Sequence, residues 1–166
     1  MGGINAVRYI QQKEPIILQR SDGYIGVLID DLISKGSKEP YRMMTSRAEF
    51  RLLLRQDNAD QRLTPIGHEI GLISDERYEA LLEKERQTEA EIERVKALTI
   101  TPAKETLELL EQYGSTPIKS GFKLADLIKR PELDYEKLAP LDKERPELPA
   151  PVREQVNIQI KYEGYI

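Results

Sequence analysis

Residues 75–98, DERYEALLEKERQTEAEIERVKAL, form the stretch that decides the fold class. Their apolar side chains return to one side at the helical period: Tyr78, Leu81, Leu82, Ile92, Val95 and Leu98. Asp75 and Glu76 place negative charge at the positive end of the helix dipole. The pattern predicts one long helix. Its polar middle, 83–91, predicts that this helix projects or pairs along a narrow seam.

A second amphipathic helix is predicted over 101–113, and Gly114 is placed to end it. The two helices are expected to form a long antiparallel hairpin over 74–114, joined near Thr99. Two Thr-Pro pairs each offer a hydroxyl at the N-cap and a proline at the first helical position: Thr64-Pro65 and Thr101-Pro102.

After the hairpin, short apolar pieces lie between prolines and predict short helices and turns that wrap on a neighbour. A helical pattern resumes at Val152 and continues to Ile166 without a cap. The best strand signal, 14–18, is weak because it contains Pro15. The predicted fold class is all-α: an irregular helical domain with a long antiparallel helical hairpin and short Pro-separated helices.

Composition limits the classes of function. The chain has 166 residues, of which 39% are hydrophobic and 33% charged, and it has no cysteine, which excludes disulfides, thiolate nucleophiles and cysteine-ligated metals. No apolar run approaches the roughly 20 residues that span a bilayer, and the start lacks the features of a signal peptide. A cytoplasmic protein without membrane contact is therefore expected.

The charge of the chain is unevenly distributed. The net charge is −4, which argues against nucleic-acid binding by the whole surface. Residues 41–62 nevertheless carry five arginines and three acids, whereas residues 69–113 carry twelve acids and six bases. A basic patch on an acidic body is therefore predicted.

The arginines of this basic stretch have helical spacing. Arg47, Arg51 and Arg55 fall at i, i+4 and i+8, so a helix capped by Thr45 or Ser46 would place them on one face. On that helix, three apolar side chains would face the core: Phe50, Leu53 and Leu54. Like charges at this spacing repel by a few tenths of a kcal/mol per pair, so the arginines need anions nearby.

Two interpretations of the arginines follow. Acids of the same protein can neutralise them, or RNA phosphate can accept bidentate hydrogen bonds from their planar guanidinium groups. Spacing alone favours internal pairing, because salt-bridged arginine networks are common.

Three separated motifs carry a family resemblance. Residues 41–60, YRMMTSRAEFRLLLRQDNAD, resemble the signature of the MnmG (GidA) family. Residues 24–32, YIGVLIDDL, and 161–166, KYEGYI, are similar to the same family, and the match runs in order from Gly3 to the last residue. Family members usually have Phe at the position of Met44 and often Tyr at that of Phe50, and both differences are conservative.

The resemblance implies an activity for the parent protein. Members are FAD-dependent enzymes that add carboxymethylaminomethyl at position 5 of the wobble uridine of tRNA. They work with the GTPase MnmE and use FAD, NADH and methylene-tetrahydrofolate. The parent is expected to be a homodimer whose flavin domain is N-terminal, while its C-terminal helical region contacts tRNA and MnmE.

The resemblance also implies what this chain retains. No G-x-G-x-x-G is present, so the chain is predicted to be a fragment, cut at both ends, that is inactive and binds no cofactor alone. Segment 1–20 is predicted to be the last helix of the flavin domain plus a linker, and segment 21–73 is predicted to be an Arg-rich helical domain. Segment 74–114 is predicted to be the hairpin. Segment 115–166 is predicted to contain short helices and the start of a truncated C-terminal helix.

The predicted site residues follow from these segments. Gly3 and Asn5 are expected near FAD in the intact parent. The candidates for tRNA binding are Arg42, Arg47, Arg51, Arg55 and Lys161. No catalytic or metal-binding residue is predicted, and His68 is interpreted as a structural or surface histidine. An alternative function remains open: a protein-interaction module that docks MnmE, with purely structural arginines.

Three smaller features have simple interpretations. The adjacent Asp30 and Asp31 are expected on a solvated face or beside an arginine. The Glu-rich run 83–93 is expected on a solvated helix face, with contact to a basic partner as the alternative. Tyr162 and Tyr165 are expected to pack in the core, and base stacking is the less favoured alternative.

Overall fold

The computed structural model describes residues 1–36 and 38–165. These residues are mostly helical, with one two-stranded sheet, so the all-α class is confirmed. The chain divides into two compact units, 1–81 and 82–166, at a boundary inside the longest helix. The four predicted segments stay a prediction. None of the described helices combines the length and apolar character needed to cross a membrane.

Unit 1 contains four helical elements and the beginning of a fifth: α1 (Gly2–Ile10), α2 (Tyr24–Ser34), a 3-10 turn (Thr45–Arg47), α3 (Ala59–Glu69) and the first residues of α4 (Asp75–Ala97). Its buried apolar cluster is small and consists of Val27, Ala48 and Leu54, with Tyr24 packed against it. Such a cluster removes little apolar surface from water, so polar contacts contribute much of the order in this unit.

A glycine lets the chain before α2 lie directly against that helix. A Cβ atom on Gly26 would stand 2.1 Å from the carbonyl oxygen of Gln19 and 2.9 Å from that of Leu18. Only glycine allows the two backbones to approach this closely. The contact fixes the position of Arg20, the next residue of the chain.

Unit 2 contains the rest of α4 and the remaining elements: β1 (Thr99–Ile100), α5 (Lys104–Gln112), β2 (Phe122–Lys123), α6 (Leu124–Ile128), a second 3-10 turn (Ala139–Leu141) and α7 (Ala150–Tyr162). The strands are antiparallel, with Thr99 opposite Lys123 and Ile100 opposite Phe122.

The core of unit 2 is large and draws on every helix of the unit. Its fully buried side chains include Val95, Leu110, Leu127, Ile128, Val156 and Ile160. The helical patterns predicted over 75–98 and from Val152 onward therefore identify core positions at Ile92, Val95, Val156 and Ile160, whereas Leu82 and Tyr165 are exposed. The short pieces between prolines supply part of the core itself, because α6 is almost wholly buried.

A polar cluster lies inside this unit, on the part of α4 expected to be solvated. Glu91 is 4% exposed, pairs with Arg94 at 2.7 Å, and accepts a hydrogen bond from the Tyr135 hydroxyl at 2.7 Å. Arg94 also donates to Asp142 at 3.1 Å. The solvated-face prediction is therefore wrong at Glu91, because this cluster satisfies its buried carboxylate.

Several local predictions were wrong. Thr64 was expected to cap a helix that begins at Pro65, but helix α3 begins at Ala59 and Pro65 lies inside it. Arg62 stabilises the first turn of α3, because it donates to the Asn58 side chain at 3.0 Å and to the Arg55 carbonyl at 2.9 Å. Thr101 was expected to cap α5, with Pro102 as the first helical residue, but Pro102 precedes the helix, whose N-cap is Ala103. A strand separates α4 from α5, and the antiparallel hairpin stays a prediction.

Candidate nucleic-acid interface

The arginine-rich segment is not a helix. Only Thr45–Arg47 forms a single 3-10 turn, and it ends at Ala48, whose backbone is extended. Ala48 is buried with Val27 and Leu54, and this tertiary contact overrides the helix propensity of the segment. The prediction of a three-arginine helical stripe is therefore wrong. Leu54 reaches the core as expected, whereas Phe50 and Leu53 are exposed.

Arg20 organises the segment from the preceding part of the chain. Its guanidinium donates two hydrogen bonds to the Glu49 carboxylate, at 2.7 and 2.8 Å. It also donates to Asp31 at 2.8 Å and to Asp30 at 2.9 Å. It also donates to the backbone carbonyl of Arg47 at 3.1 Å. With a longer contact to the Val27 carbonyl at 3.5 Å, one cation binds three carboxylates and two backbone carbonyls, which holds α2 and the segment together.

The pKa values of these carboxyls reflect the contacts. Hydrogen bonding from Arg20 lowers the pKa of Glu49 to about 2. Hydrogen bonds from Tyr41, Lys35 and Arg20 hold the pKa of Asp31 well below its usual range. Both carboxyls are thus ionised at neutral pH and neutralised by partners other than the predicted tRNA-binding arginines. The prediction of an arginine partner for the Asp30–Asp31 pair is confirmed.

Three of the predicted arginines are exposed and have no acidic partner in the part of the chain that the structure describes. Arg42 and Arg51 form no hydrogen bond or ion pair with any residue in 1–36 or 38–165. The Arg47 guanidinium carbon lies 4.5 Å from the centroid of the Tyr41 ring, and its N–H groups have no acceptor among the same residues. The internal-pairing interpretation therefore does not describe these three arginines.

The other two candidates are bound internally. Arg55 forms a fork with Asp57, at 3.0 and 3.1 Å, and its side chain is 14% exposed. In unit 2, the Lys161 ammonium donates to the backbone carbonyls of Leu133 at 2.6 Å and Arg130 at 3.1 Å. Both cations stabilise their own unit. The last residue of the motif that contains Lys161, Ile166, lies outside the described residues.

The residues expected near FAD have local roles in this chain. The Asn5 side chain donates to the Ile16 carbonyl at 3.0 Å and accepts from the Ile16 amide at 2.8 Å. Both polar atoms of Asn5 are thus in use, and a Cβ atom on Gly3 would meet nothing within 4 Å. The expectation that Gly3 and Asn5 lie near FAD in the intact parent stays a prediction, and no chemical step is assigned to the two residues.

Two further residues interpreted from the sequence have clear surroundings. His68 Nε2 lies 2.7 Å from Asp75 Oδ1, and the ring stacks on Tyr78 with centroids 4.3 Å apart. Tyr162 and Tyr165 form an edge-to-face pair at 6.3 Å, but both are exposed, so the prediction that they pack in the core was wrong.

Sequence reasoning missed Arg20 and Tyr41 as parts of this site. Arg20 belongs to no periodic pattern, because it lies in the irregular chain before α2. The available signal was the adjacent pair of aspartates at 30 and 31, which requires a nearby cation once one of them is buried.

Comparison with known proteins identifies the family. Residues 75–166 match the family model of the tRNA modifying enzyme MnmG/GidA C-terminal helical domain. The tRNA uridine 5-carboxymethylaminomethyl modification enzymes MnmG of Caldicellulosiruptor saccharolyticus and Lachnoclostridium phytofermentans are 58% and 61% identical over all 166 residues.

The solved structure of Aquifex aeolicus GidA, in its form II crystal, superposes with a TM-score of 0.83 at 37% identity, covering 98% of this chain and 25% of that one. The chain spans about a quarter of the length of the curated relatives that it matches, 26% of each of the two named above. Because the family model covers more than half of the chain, the chain belongs to the MnmG/GidA family of tRNA-modifying enzymes and contains its C-terminal helical domain.

Proposed function

We propose that this chain is the tRNA- and partner-binding C-terminal region of a flavoenzyme that adds carboxymethylaminomethyl to the wobble uridine of tRNA. The observation that carries the proposal is a set of three exposed arginines, Arg42, Arg47 and Arg51, that have no acidic partner among the described residues. FAD, NADH and methylene-tetrahydrofolate would act in the rest of the enzyme, a cytoplasmic homodimer that works with the GTPase MnmE.

The charge balance of the segment supports phosphate as the ligand. Two acids close to these arginines in sequence are paired with other cations, Glu49 with Arg20 and Asp57 with Arg55. Three positive charges therefore remain within ten residues of a chain whose net charge is −4. Arginine meets phosphate in a bidentate fork, and each phosphate contact releases counterions from the nucleic acid.

Salt-dependent titration of an unmodified tRNA transcript tests the proposal. Each arginine that contacts a phosphate contributes about one unit to the slope of log affinity against log salt, so Arg51→Ala should lower that slope by about one. Arg86→Ala is the matched control. Arg86 is an exposed arginine of α4 paired with Glu83 at 2.6 Å, and its loss should leave the slope unchanged. An unchanged slope in folded Arg51→Ala would contradict the proposal.

A second candidate function is a protein-interaction module that docks MnmE, with structural arginines. The observation in its favour is the acidic exposed side of α4, which includes Glu79, Glu89 and Glu93. If this function is correct, Glu89→Lys with Glu93→Lys should abolish capture of purified MnmE while tRNA affinity does not fall. Equal capture by the unchanged chain and the double variant would remove this candidate.

A further inference from the structure

Arg47 is fixed at two points. Its backbone carbonyl accepts a hydrogen bond from Arg20 at 3.1 Å. Its guanidinium carbon lies 4.5 Å from the centroid of the Tyr41 ring, a distance typical of cation–π contacts. Arg42 and Arg51 have no comparable contact with described residues. Arg47 is therefore the one of these three arginines whose guanidinium is held in a defined position.

Tyr41 is itself anchored. Its hydroxyl donates to Asp31 Oδ2 at 2.8 Å, and Asp31 is 4% exposed. The other carboxylate oxygen of Asp31 accepts from Arg20 at 2.8 Å and from Lys35 at 3.0 Å. Burial, with the hydrogen bond to Asp31, raises the pKa of Tyr41. The hydroxyl therefore stays protonated at neutral pH and keeps the ring in place.

Stacking on a ring leaves the arginine free to bind an anion. The guanidinium carries five N–H donors in its plane, and those of Arg47 have no acceptor among the described residues. A guanidinium that is already oriented loses less side-chain freedom when phosphate binds, which strengthens binding.

We propose that Tyr41 is a positioning residue that holds the Arg47 guanidinium ready for a phosphate group of an RNA backbone. This inference rests on the proposed function. Tyr41 is not expected to touch the RNA. Its contribution should pass entirely through Arg47, with a size typical of an exposed cation–π contact, about two- to fivefold in affinity.

A double-mutant cycle on the whole chain tests the inference with the same tRNA transcript. The variants are Tyr41→Leu, which removes the ring, Arg47→Ala, and the two combined. Tyr41→Leu alone should weaken binding about two- to fivefold, and it should have no further effect when Arg47→Ala is already present. Tyr41→Phe keeps the ring but removes its hydroxyl anchor, so it should weaken binding less than Tyr41→Leu does. Circular dichroism checks the folding of each variant.

The outcomes separate the inference from the proposed function. If Arg47→Ala leaves affinity and salt slope unchanged, Arg47 does not bind phosphate, and both the proposed role of this arginine and the inference fail. If Arg47→Ala weakens binding but Tyr41→Leu does not, only the inference is overturned. The inference alone is also overturned if Tyr41→Leu weakens binding equally in the presence and in the absence of Arg47. Should Tyr41→Leu fail to fold, a loss with Tyr41→Phe beyond about fivefold would overturn the inference.

Discussion

Replacing Gly26 with alanine should destabilise unit 1, although alanine is the better helix former. The new Cβ atom would lie 2.1 Å from the Gln19 carbonyl oxygen, and real Cβ contacts are not shorter than 3.0 Å. The backbone at Gln19 would therefore have to move by about 0.9 Å. Because Arg20 is the next residue, the same movement would disturb its hydrogen bonds with three carboxylates.

The size of the effect follows from two opposing terms. Forcing extra volume into a packed site costs about 3 kcal/mol when it displaces backbone. The gain in helix propensity from glycine to alanine returns about 1 kcal/mol. The net loss should be about 2 kcal/mol in the free energy of unfolding.

Urea unfolding, with hydrogen exchange of peptides from 15–35 as the local probe, measures this loss. Gly3→Ala is the matched control, because Gly3 also lies in a helix of unit 1 but nothing lies within 4 Å of its Cβ position. That variant should be stabilised by about 0.5–1 kcal/mol. If Gly26→Ala were as stable as the unchanged chain, or more stable, the close approach of the two backbones would be refuted.

Two further predictions concern unit 2. Leu110 is fully buried, so Leu110→Ala should lower the free energy of unfolding, measured in urea, by about 2–5 kcal/mol. A loss below about 1 kcal/mol would instead indicate a loosely packed core. Burial, with the hydrogen bond to Glu91, raises the pKa of Tyr135 to about 12. Since an unfolded tyrosine titrates near pH 10, its contribution to stability should persist below about pH 10 and be lost as the pH rises to about 12. Tyr135→Phe should weaken this alkaline loss in unfolding experiments at several pH values, and an unchanged pH profile would contradict the assignment.

The sequence predicted unit 2 better than unit 1 for a physical reason. Helices α4 and α7 carry apolar residues at helical spacing, and burial of those faces forms the core. Helix α6 is one of the short helices predicted from apolar pieces between prolines, and four of its five residues are buried. In these elements local pattern and tertiary packing favour the same structure.

The arginine segment differs because distant contacts decide its conformation. Helical spacing of the arginines favoured a helix, but Arg20 binds Glu49 and the Arg47 carbonyl from across 27 or more positions. The small sheet was missed for a related reason. Its strands have two residues each and pair across more than 20 positions, and a pattern of period 2 cannot be recognised over such a length.

The candidate site was predicted in part. The basic character of the segment follows from composition. The exposure of Arg42, Arg47 and Arg51 does not, because spacing alone favoured internal pairing. Spacing also treats Arg55 like Arg47 and Arg51, and its contacts with Asp57 and the Leu52 carbonyl distinguish it.

The contacts of Arg20 have a consequence for the surface electrostatics of unit 1. Asp30, Asp31 and Glu49 are all anions of the same small unit. Arg20 forms an ion pair with each of them, so much of their hydrogen-bonding capacity is already used. A fourth arginine outside the segment thus occupies carboxylates that would otherwise be open to Arg42, Arg47 and Arg51.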